Sequence, residues 1–296
     1  VGFTGTYTLL TNNQNIRGSL TMGTGMTVTS GTVSLQFIST STGNTITSNG
    51  VQMNIPITFN GVGGGWSLQD NLNMGGASAR TLTLTNGTFN ANGYNVTAGA
   101  FSSSNSNTRT ITMASGTWTL TGTGTVWTTS TSTNLTLTSG TSTIVINDTS
   151  ATSKTFSGGG LIYYNLTASG DNIIVAGSNT FNQINNNTAG RTNGLIMTSG
   201  TTQTLAGGYG MTTNGSAGNL AKLTSTVAGS PATLSRAGGI VGVDYMSIKD
   251  STATGGATFY AGYNSTNVSG NTGWIFEEAR RIQGVSSISG ILSITL

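Results

Sequence analysis

The chain contains no histidine and no cysteine, and only two of its 296 residues are proline. Histidine is the commonest general base and, with cysteine, the usual zinc ligand, so imidazole and thiol catalysis and the familiar zinc sites are excluded. The missing cysteine also excludes a disulfide framework. Collagen is excluded because glycine shows no period of three and proline is nearly absent.

Charge is scarce as well, with ten Lys and Arg and seven Asp and Glu. The formal net charge is +3, and the basic residues are scattered apart from Arg280 and Arg281. The isoelectric point of 9.3 therefore reflects few acids rather than a basic patch, and we expect no nucleic-acid partner. No apolar run approaches the roughly 18 residues that a bilayer-spanning helix needs, so we expect no membrane span.

Small polar residues dominate what is present. Threonine, serine, asparagine and glycine supply 57, 35, 30 and 45 residues, which is more than half of the chain. These residues are mediocre to poor helix formers, so a helical bundle is not expected. A mean hydropathy of 0.00 and frequent β-branched residues argue against disorder.

Apolar residues alternate with polar ones, mostly threonine, in many short segments, for example residues 52–59, 81–85 and 117–121. Such alternation places the apolar side chains on one face of a β-strand. Asn-Gly pairs such as Asn86-Gly87 separate these segments and supply the positive φ that a sharp turn needs. Because no segment shows a sustained 3.6-residue period, the chain is predicted to be all-β.

A phrase of the form apolar-Thr-apolar-x-x-Gly-Thr recurs at residues 26–32, 82–88, 111–117 and 135–141, with a looser copy at 196–201. The spacings fit one or two multiples of roughly 24–30 residues, which matches one coil of a parallel β-solenoid. We therefore predict a single-stranded right-handed parallel β-helix with roughly 24–30 residues per coil. A β-sandwich or an array of antiparallel modules is the alternative.

The two ends of the chain differ from its middle. Residues 1–17 are predicted to form an N-terminal cap or first coil, and residues 18–276 the parallel β-helix. Residues 277–296 begin with a charged run and end in an alternating segment, so they are predicted to form a C-terminal cap and a terminal strand. The terminal strand is also a candidate contact with another chain.

Three segments carry a family resemblance: residues 158–166, 236–257 and 270–276. They resemble the Thr/Gly/Asn-rich β-helical repeat proteins of tailed bacteriophages and related bacterial surface proteins, and the resemblance covers roughly residues 80–276. It implies a virion appendage, such as a tail fibre, spike or head fibre, or a secreted adhesin. Trimers are common among the spikes that the chain resembles. The family has no catalytic motif to carry over. Both the resemblance and the neutral Thr/Asn/Gly surface favour a location on a virion or outside the cell.

The seven acids offer two carboxylate pairs, and glycan-cleaving β-helices use two carboxylates in one groove. Asp148 and Asp171 are 23 residues apart, about one coil. Asp244 and Asp250 are six residues apart. Turn caps or a surface ion pair such as Lys249–Asp250 explain the same residues more simply. We therefore predict no catalytic residue, no metal site and no cofactor.

Two tyrosines are the candidate glycan-binding residues. Tyr209 lies among glycines at residues 207–210, and Tyr263 lies in a similar loop-like sequence, so both are expected to expose their rings to a sugar. Trp118 lies on the same strand face as Leu120 and is predicted to be internal. The glycine runs at residues 63–65 and 158–160 lack the ending of a phosphate-binding loop and are predicted to be bends.

These observations predict a non-enzymatic structural protein, a component of a bacteriophage appendage that binds a receptor or glycan on the host surface. We expect it to self-associate, as a trimer or as an end-to-end stack, and to contact other virion proteins. An extracellular bacterial adhesin or a self-assembling β-solenoid filament subunit is the alternative, and a glycan-degrading β-helix enzyme is less favoured.

Overall fold

A computed structural model of the chain describes residues 5–9, 12–30, 33–76 and 80–277. Across these residues the chain is all-β, and they contain no helix. Thirty strands are connected by turns and bends and pair in parallel to form a β-solenoid of about 11 coils. The predicted fold class is therefore confirmed. In this part of the chain no helix is long and apolar enough to cross a membrane.

The strands are short, and most contain three to five residues. They are β1 (Thr6–Leu9), β2 (Gln14–Ile16), β3 (Leu20–Thr21), β4 (Thr27–Ser30), β5 (Leu35–Phe37), β6 (Asn44–Thr47), β7 (Ile57–Leu68), β8 (Leu72–Asn73), β9 (Thr81–Asn90), β10 (Val96–Ala98), β11 (Ala100–Ser102), β12 (Arg109–Thr112), β13 (Thr117–Leu120), β14 (Gly124–Thr128) and β15 (Leu135–Thr138). They continue with β16 (Thr143–Ile146), β17 (Lys154–Ser157), β18 (Ile162–Ala168), β19 (Ile173–Ala176), β20 (Thr180–Asn186), β21 (Leu195–Met197), β22 (Thr202–Thr213), β23 (Ala221–Ser225), β24 (Ala232–Ser235), β25 (Ile240–Gly242), β26 (Met246–Lys249), β27 (Ser251–Thr254), β28 (Thr258–Tyr260), β29 (Thr266–Ser269) and β30 (Trp274–Ile275).

Strands from successive coils stack into ladders. The first ladder runs β2-β5-β7-β9-β11-β14-β17-β19-β21-β23-β26-β29, and the second runs β8-β10-β13-β16-β18-β20-β22-β24-β27. A short third ladder, β25-β28-β30, lies at the C-terminal end of the described chain. The long strands β7 and β9 belong to two stacks, because their first halves pair with β5 and β11 and their second halves with β6 and β12.

Coil length varies along the stack. In the first ladder Lys154 lies opposite Ile173, 19 residues later, whereas Gly124 lies opposite Lys154, 30 residues later. The range is thus wider than the predicted 24–30 residues. Copies of the recurrent phrase also do not stack residue on residue, because Ile111 pairs with Leu137.

The core is one continuous column of inward side chains. In β9 Leu82 and Leu84 are fully buried, while the alternating threonines Thr81, Thr83 and Thr85 lie on the outer face. Trp118 is also fully buried, as predicted. Seven rings form a chain of contacts along the core, with successive centroids 4.7 to 5.9 Å apart. This aromatic column consists of Phe37, Phe59, Phe89, Trp118, Trp127, Phe156 and Phe181.

The ends of the solenoid are described only in part. β1 pairs with β4, so residues 6–9 form part of the first coil. The charged cap and terminal strand predicted for residues 277–296 lie outside the described residues, except for Glu277. These domain boundaries stay predictions.

Candidate functional site

Exposed apolar side chains are concentrated near the C-terminal end of the described chain. Of seven large exposed apolar residues, five lie between positions 209 and 268. Tyr209 is 75% exposed and Tyr263 is 72% exposed, in agreement with the loop-like sequence around each. Exposed apolar residues mark an interaction surface where they are contiguous, as Tyr209 and Ile240 are in the groove described below. Whether the two tyrosines bind glycan stays a prediction.

Tyr209 lies on a bulge in β22. Phe181 of β20 pairs with Leu205, but Gln183, two residues later, pairs with Gly210. Residues 206–209 of β22 thus lie opposite a single residue of β20, and we call them the β22 bulge. Extra residues in one strand push it away from the sheet and redirect its side chains. The bulge therefore explains why a large ring stands in solvent in the middle of a strand.

The two neighbouring coils hold the β22 bulge by hydrogen bonds. The Tyr209 backbone N–H donates to Gln183 Oε1 at 3.1 Å. Arg236 Nη2 donates to the Gly208 carbonyl at 3.0 Å. A Cβ at Gly210 would lie 2.8 Å from Arg236 Nη1, so the glycine leaves room for the guanidinium. Tyr209 is therefore presented on a fixed support.

An open groove of about 690 Å³ begins at Tyr209 and crosses the end of β22 and β25. We call it the Tyr209 groove. It combines aromatic rings, hydroxyl groups, an aliphatic side chain and one carboxylate. The residues that supply these groups are Tyr209, Thr212, Thr213, Ile240, Asp244 and Tyr245. Aromatic rings accept the apolar face of a sugar, and the polar groups match its hydroxyls.

Asp244 organises the far end of the groove. Its Oδ1 accepts hydrogen bonds from the backbone N–H groups of Tyr245 and Asn264, both at 2.9 Å, and Oδ2 accepts one from Asn264 Nδ2 at 2.7 Å. Tyr263 directly precedes Asn264, so Asp244 links the Tyr263 turn to the groove. Tyr245 has a positive φ of 54°, and a Cβ at Gly215 would lie 2.1 Å from its carbonyl oxygen.

The sequence indicated Tyr209 and Tyr263 but not Tyr245, Gln183 or Arg236. Tyr245 lies in the bend just before β26, and no Gly or Asn at this position signals its left-handed backbone conformation. Gln183 and Arg236 reach the bulge only because the coils stack in this register. The glycines around Tyr209 were the one local signal of the site.

The stacked coils bring Asp148 and Asp171 together, as their spacing suggested, but their carboxyl groups have separate partners. The Asp171 N–H donates to the Asp148 carbonyl at 3.0 Å. Asp148 Oδ1 lies 2.9 Å from the fully buried Lys154 ammonium. Asp171 Oδ1 accepts hydrogen bonds from the backbone N–H groups of Asn193 and Gly194, both at 2.8 Å.

These contacts keep both carboxyl groups ionised. Burial raises the pKa of Asp148, but hydrogen bonds from Ser150 and the Lys154 ammonium outweigh it and place the pKa below its usual value. Burial likewise raises the pKa of Asp171, but hydrogen bonds from the Gly194 and Asn193 N–H groups lower it by more. The pKa of Asp171 therefore also lies below its usual value. Neither group is suited to act as the protonated acid of a glycosidase, which needs a raised pKa.

Asp244 and Asp250 do not share a groove. Asp244 precedes β26 and Asp250 follows it. Six residues of extended chain therefore separate them by roughly 20 Å. Asp250 is 2% exposed and its Oδ2 lies 3.9 Å from Lys249 Nζ, which is the predicted ion pair. In the described part of the chain no group of three or more acidic side chains is placed to hold a metal ion.

A buried arginine joins two adjacent corners. Arg109 is 1% exposed, and burial lowers the pKa of its guanidinium. Its Nε donates to Ser103 Oγ at 2.9 Å, and its Nη atoms donate to the carbonyls of Thr131 and Thr133 in the next coil. The cation is thus satisfied by neutral oxygens and acts as a structural link.

The chain matches no protein-family model, and comparisons with curated proteins and with solved structures find no significant match.

Proposed function

We propose that the chain is a structural component of a bacteriophage virion appendage and that its Tyr209 groove binds a glycan on the host surface. The observation that carries the binding proposal is the fixed, exposed position of Tyr209 above a groove lined by hydroxyls and a second tyrosine. The solenoid suits this role, because it holds the groove at one end of a stiff stack of coils.

Binding would combine ring stacking with hydrogen bonds. One sugar ring packs its apolar face against Tyr209 or Tyr245, and its hydroxyls meet Thr212 and Thr213 between them. Asp244 adds carboxylate oxygens, which accept hydrogen bonds from sugar hydroxyls. Each aromatic contact contributes only about 0.5–1.5 kcal/mol, so a single groove binds weakly. Several copies in one appendage would raise the apparent affinity through avidity.

The test is binding of Tyr209→Ala to an array of bacterial O-chain and capsular oligosaccharides. We expect a glycan that binds the wild-type chain to lose about 2- to 13-fold in affinity, since the stacking surface is removed from the groove. Tyr263→Ala should show a smaller loss. Tyr164→Ala is the matched control, because Tyr164 is half-buried on β18, outside the groove. Equal binding by wild-type and Tyr209→Ala chains would contradict the proposal.

A filament-forming extracellular protein is the second candidate, and β29 favours it. All four residues of β29 are exposed, and among the described residues this strand pairs only with β26. An open strand edge is a template for another chain. Sedimentation and electron microscopy separate the candidates: rods that lengthen with protein concentration support end-to-end stacking, and closed trimers support a virion spike.

A further inference from the structure

A second groove, on a different face of the solenoid, has another chemical character. It has a volume of about 300 Å³ and lies on the outer face of the first ladder, across β21, β23, β26 and β29. Two lysines and several hydroxyl groups line it, and it contains no aromatic ring. We call it the Lys222–Lys249 groove.

The strand register arranges its polar groups in a square. Lys222 lies opposite Ser247, and the next pair in the ladder is Leu223 with Ile248, which places Thr224 beside Lys249. The leucine and the isoleucine are buried, so the four polar residues share the outer face. The two lysines stand at diagonal corners, roughly 8 Å apart at Cα for the ordinary spacings of a β-sheet.

Both ammonium groups retain capacity to bind a ligand. Lys222 Nζ donates one hydrogen bond, to the Thr192 carbonyl at 2.6 Å, and an ammonium has three N–H groups. Lys249 Nζ lies 3.9 Å from Asp250, beyond hydrogen-bond distance, and its side chain is 40% exposed. Asp250 itself is buried, so it offsets part of the charge without occupying the groove.

Two acids, Asp250 and Asp171, lie near the groove without lining it. The buried Asp250 Oδ2 has no hydrogen-bond partner within the described part of the chain, and Lys249 Nζ is the cation beside it. The carboxylate of Asp171 lies behind the groove residue Asn193 and accepts that residue's backbone and side-chain N–H groups. The lining itself consequently presents two ammonium groups and several hydroxyl groups, and no carboxylate from the described residues.

We propose that the Lys222–Lys249 groove binds the anionic groups of an acidic polysaccharide, as carboxylate or sulfate. Two ammonium groups and two hydroxyls on a flat ladder match an extended chain that carries a charge on successive sugars, since charge-assisted hydrogen bonds are the strong ones. A single-stranded nucleic acid fits less well, because its binding grooves use stacked aromatic side chains. This proposal is independent of the Tyr209 groove.

The experiment measures binding of the full chain to immobilised polygalacturonate, dextran sulfate and neutral dextran at about 20 mM and about 300 mM NaCl. We expect binding to one or both polyanions that weakens with salt, and none to dextran. Binding to polygalacturonate alone assigns the groove to carboxylates, and binding to dextran sulfate alone assigns it to sulfates.

The decisive variant is Lys222→Gln with Lys249→Gln, for which we expect at least about a tenfold loss of polyanion binding. The control is Arg17→Gln with Arg80→Gln, which removes the same charge far from the groove and should change binding less than about twofold. Lys249→Gln alone retains the bond from Lys222 to Thr192 and should show a smaller loss.

Equal losses in the two double variants, or no polyanion binding by the wild type, would overturn the proposal. Tyr209→Ala should leave polyanion binding unchanged, which separates this test from that of the Tyr209 groove.

Discussion

At the scale of single residues, the few carboxylates serve mainly as acceptors for the backbone of neighbouring turns. Asp70 accepts hydrogen bonds from the N–H groups of Ser48 and Asn49, at 2.8 and 2.5 Å, in the preceding coil. Asp171 does the same for two N–H groups in the following coil. In a chain with so few charges, each such acid fastens one coil to the next.

Asp171→Asn should therefore change both the stability and its dependence on pH. The pKa of Asp171 is lowered in the folded chain, so its contribution is complete above the unfolded value of about 4 and is lost as pH falls through the folded value. We expect the variant to lose about 1–2 kcal/mol of unfolding free energy at pH 7 and to approach the wild type as the pH falls below the lowered pKa of the folded chain.

Chemical denaturation from pH 7 to below that pKa measures the effect. Glu277→Gln removes the same charge from an exposed position and should follow the wild-type pH dependence. Curves for Asp171→Asn and the wild type that run parallel at all pH values would contradict the assignment.

At the scale of elements, the two longest strands, β7 and β22, each contain a bulge of four residues. In β7, Asn60 pairs with Asn86 and Gly65 with Thr88, so residues 61–64 lie opposite one residue, as in the β22 bulge. Val62 at this second bulge is 70% exposed. The two bulges show how a 12-residue strand turns away from its ladder and returns to it.

Gly64→Ala should destabilise the chain, because the β7 bulge approaches its neighbours too closely for a side chain. A Cβ at Gly64 would lie 2.0 Å from the Ser39 carbonyl oxygen and 2.9 Å from the Trp66 ring. We expect a loss of about 2–3 kcal/mol, the usual effect of overpacking. Gly238→Ala is the control, since no atom lies within 4 Å of its Cβ position and its φ is not positive. Thermal melting compares them, and equal melting temperatures would refute the interpretation.

Local sequence specified the strands better than it specified their register. Alternation identified inward residues such as Leu82 and Trp118, because each strand needs only its own two faces. The recurrent phrase gives the coil spacing but not the pairing, since the lengths of the turns between strands decide which residues stack. That same register brings Gln183 and Arg236 to Tyr209, so the supports of the groove could not be read from the residues around it.

At the scale of the whole molecule, the strands of each coil pair with those of the coils directly above and below it. Stability in such a stack is the sum of each coil's own terms and those of its interfaces with its neighbours. Coils in the middle have two partners, while β29 pairs on one side within the described chain.

Hydrogen exchange followed by mass spectrometry should reveal this gradient. We expect the backbone N–H groups of β11 to β19 to exchange most slowly, because opening them requires separating two coil interfaces and the aromatic column. Those of β29 and β30 should exchange faster. Uniform protection along the chain would show that the solenoid opens only as a whole.

The aromatic column also gives the molecule a distinctive optical signature. Trp118 and Trp127 lie 5.7 Å apart at 69°, and Trp118 Nε1 is buried without a hydrogen-bond partner. Closely spaced indoles in a dry interior couple their electronic transitions, so we expect this pair to contribute strongly to the near-ultraviolet dichroism. Trp66 is buried as deeply and packs against Phe37 and Phe59, so it should add short-wavelength fluorescence from an earlier coil. Trp274, near the C-terminal end of the described chain, is 9% exposed, so we expect its fluorescence at a longer wavelength than that of the fully buried tryptophans. The four tryptophans thus give the chain optical markers at three positions along its axis.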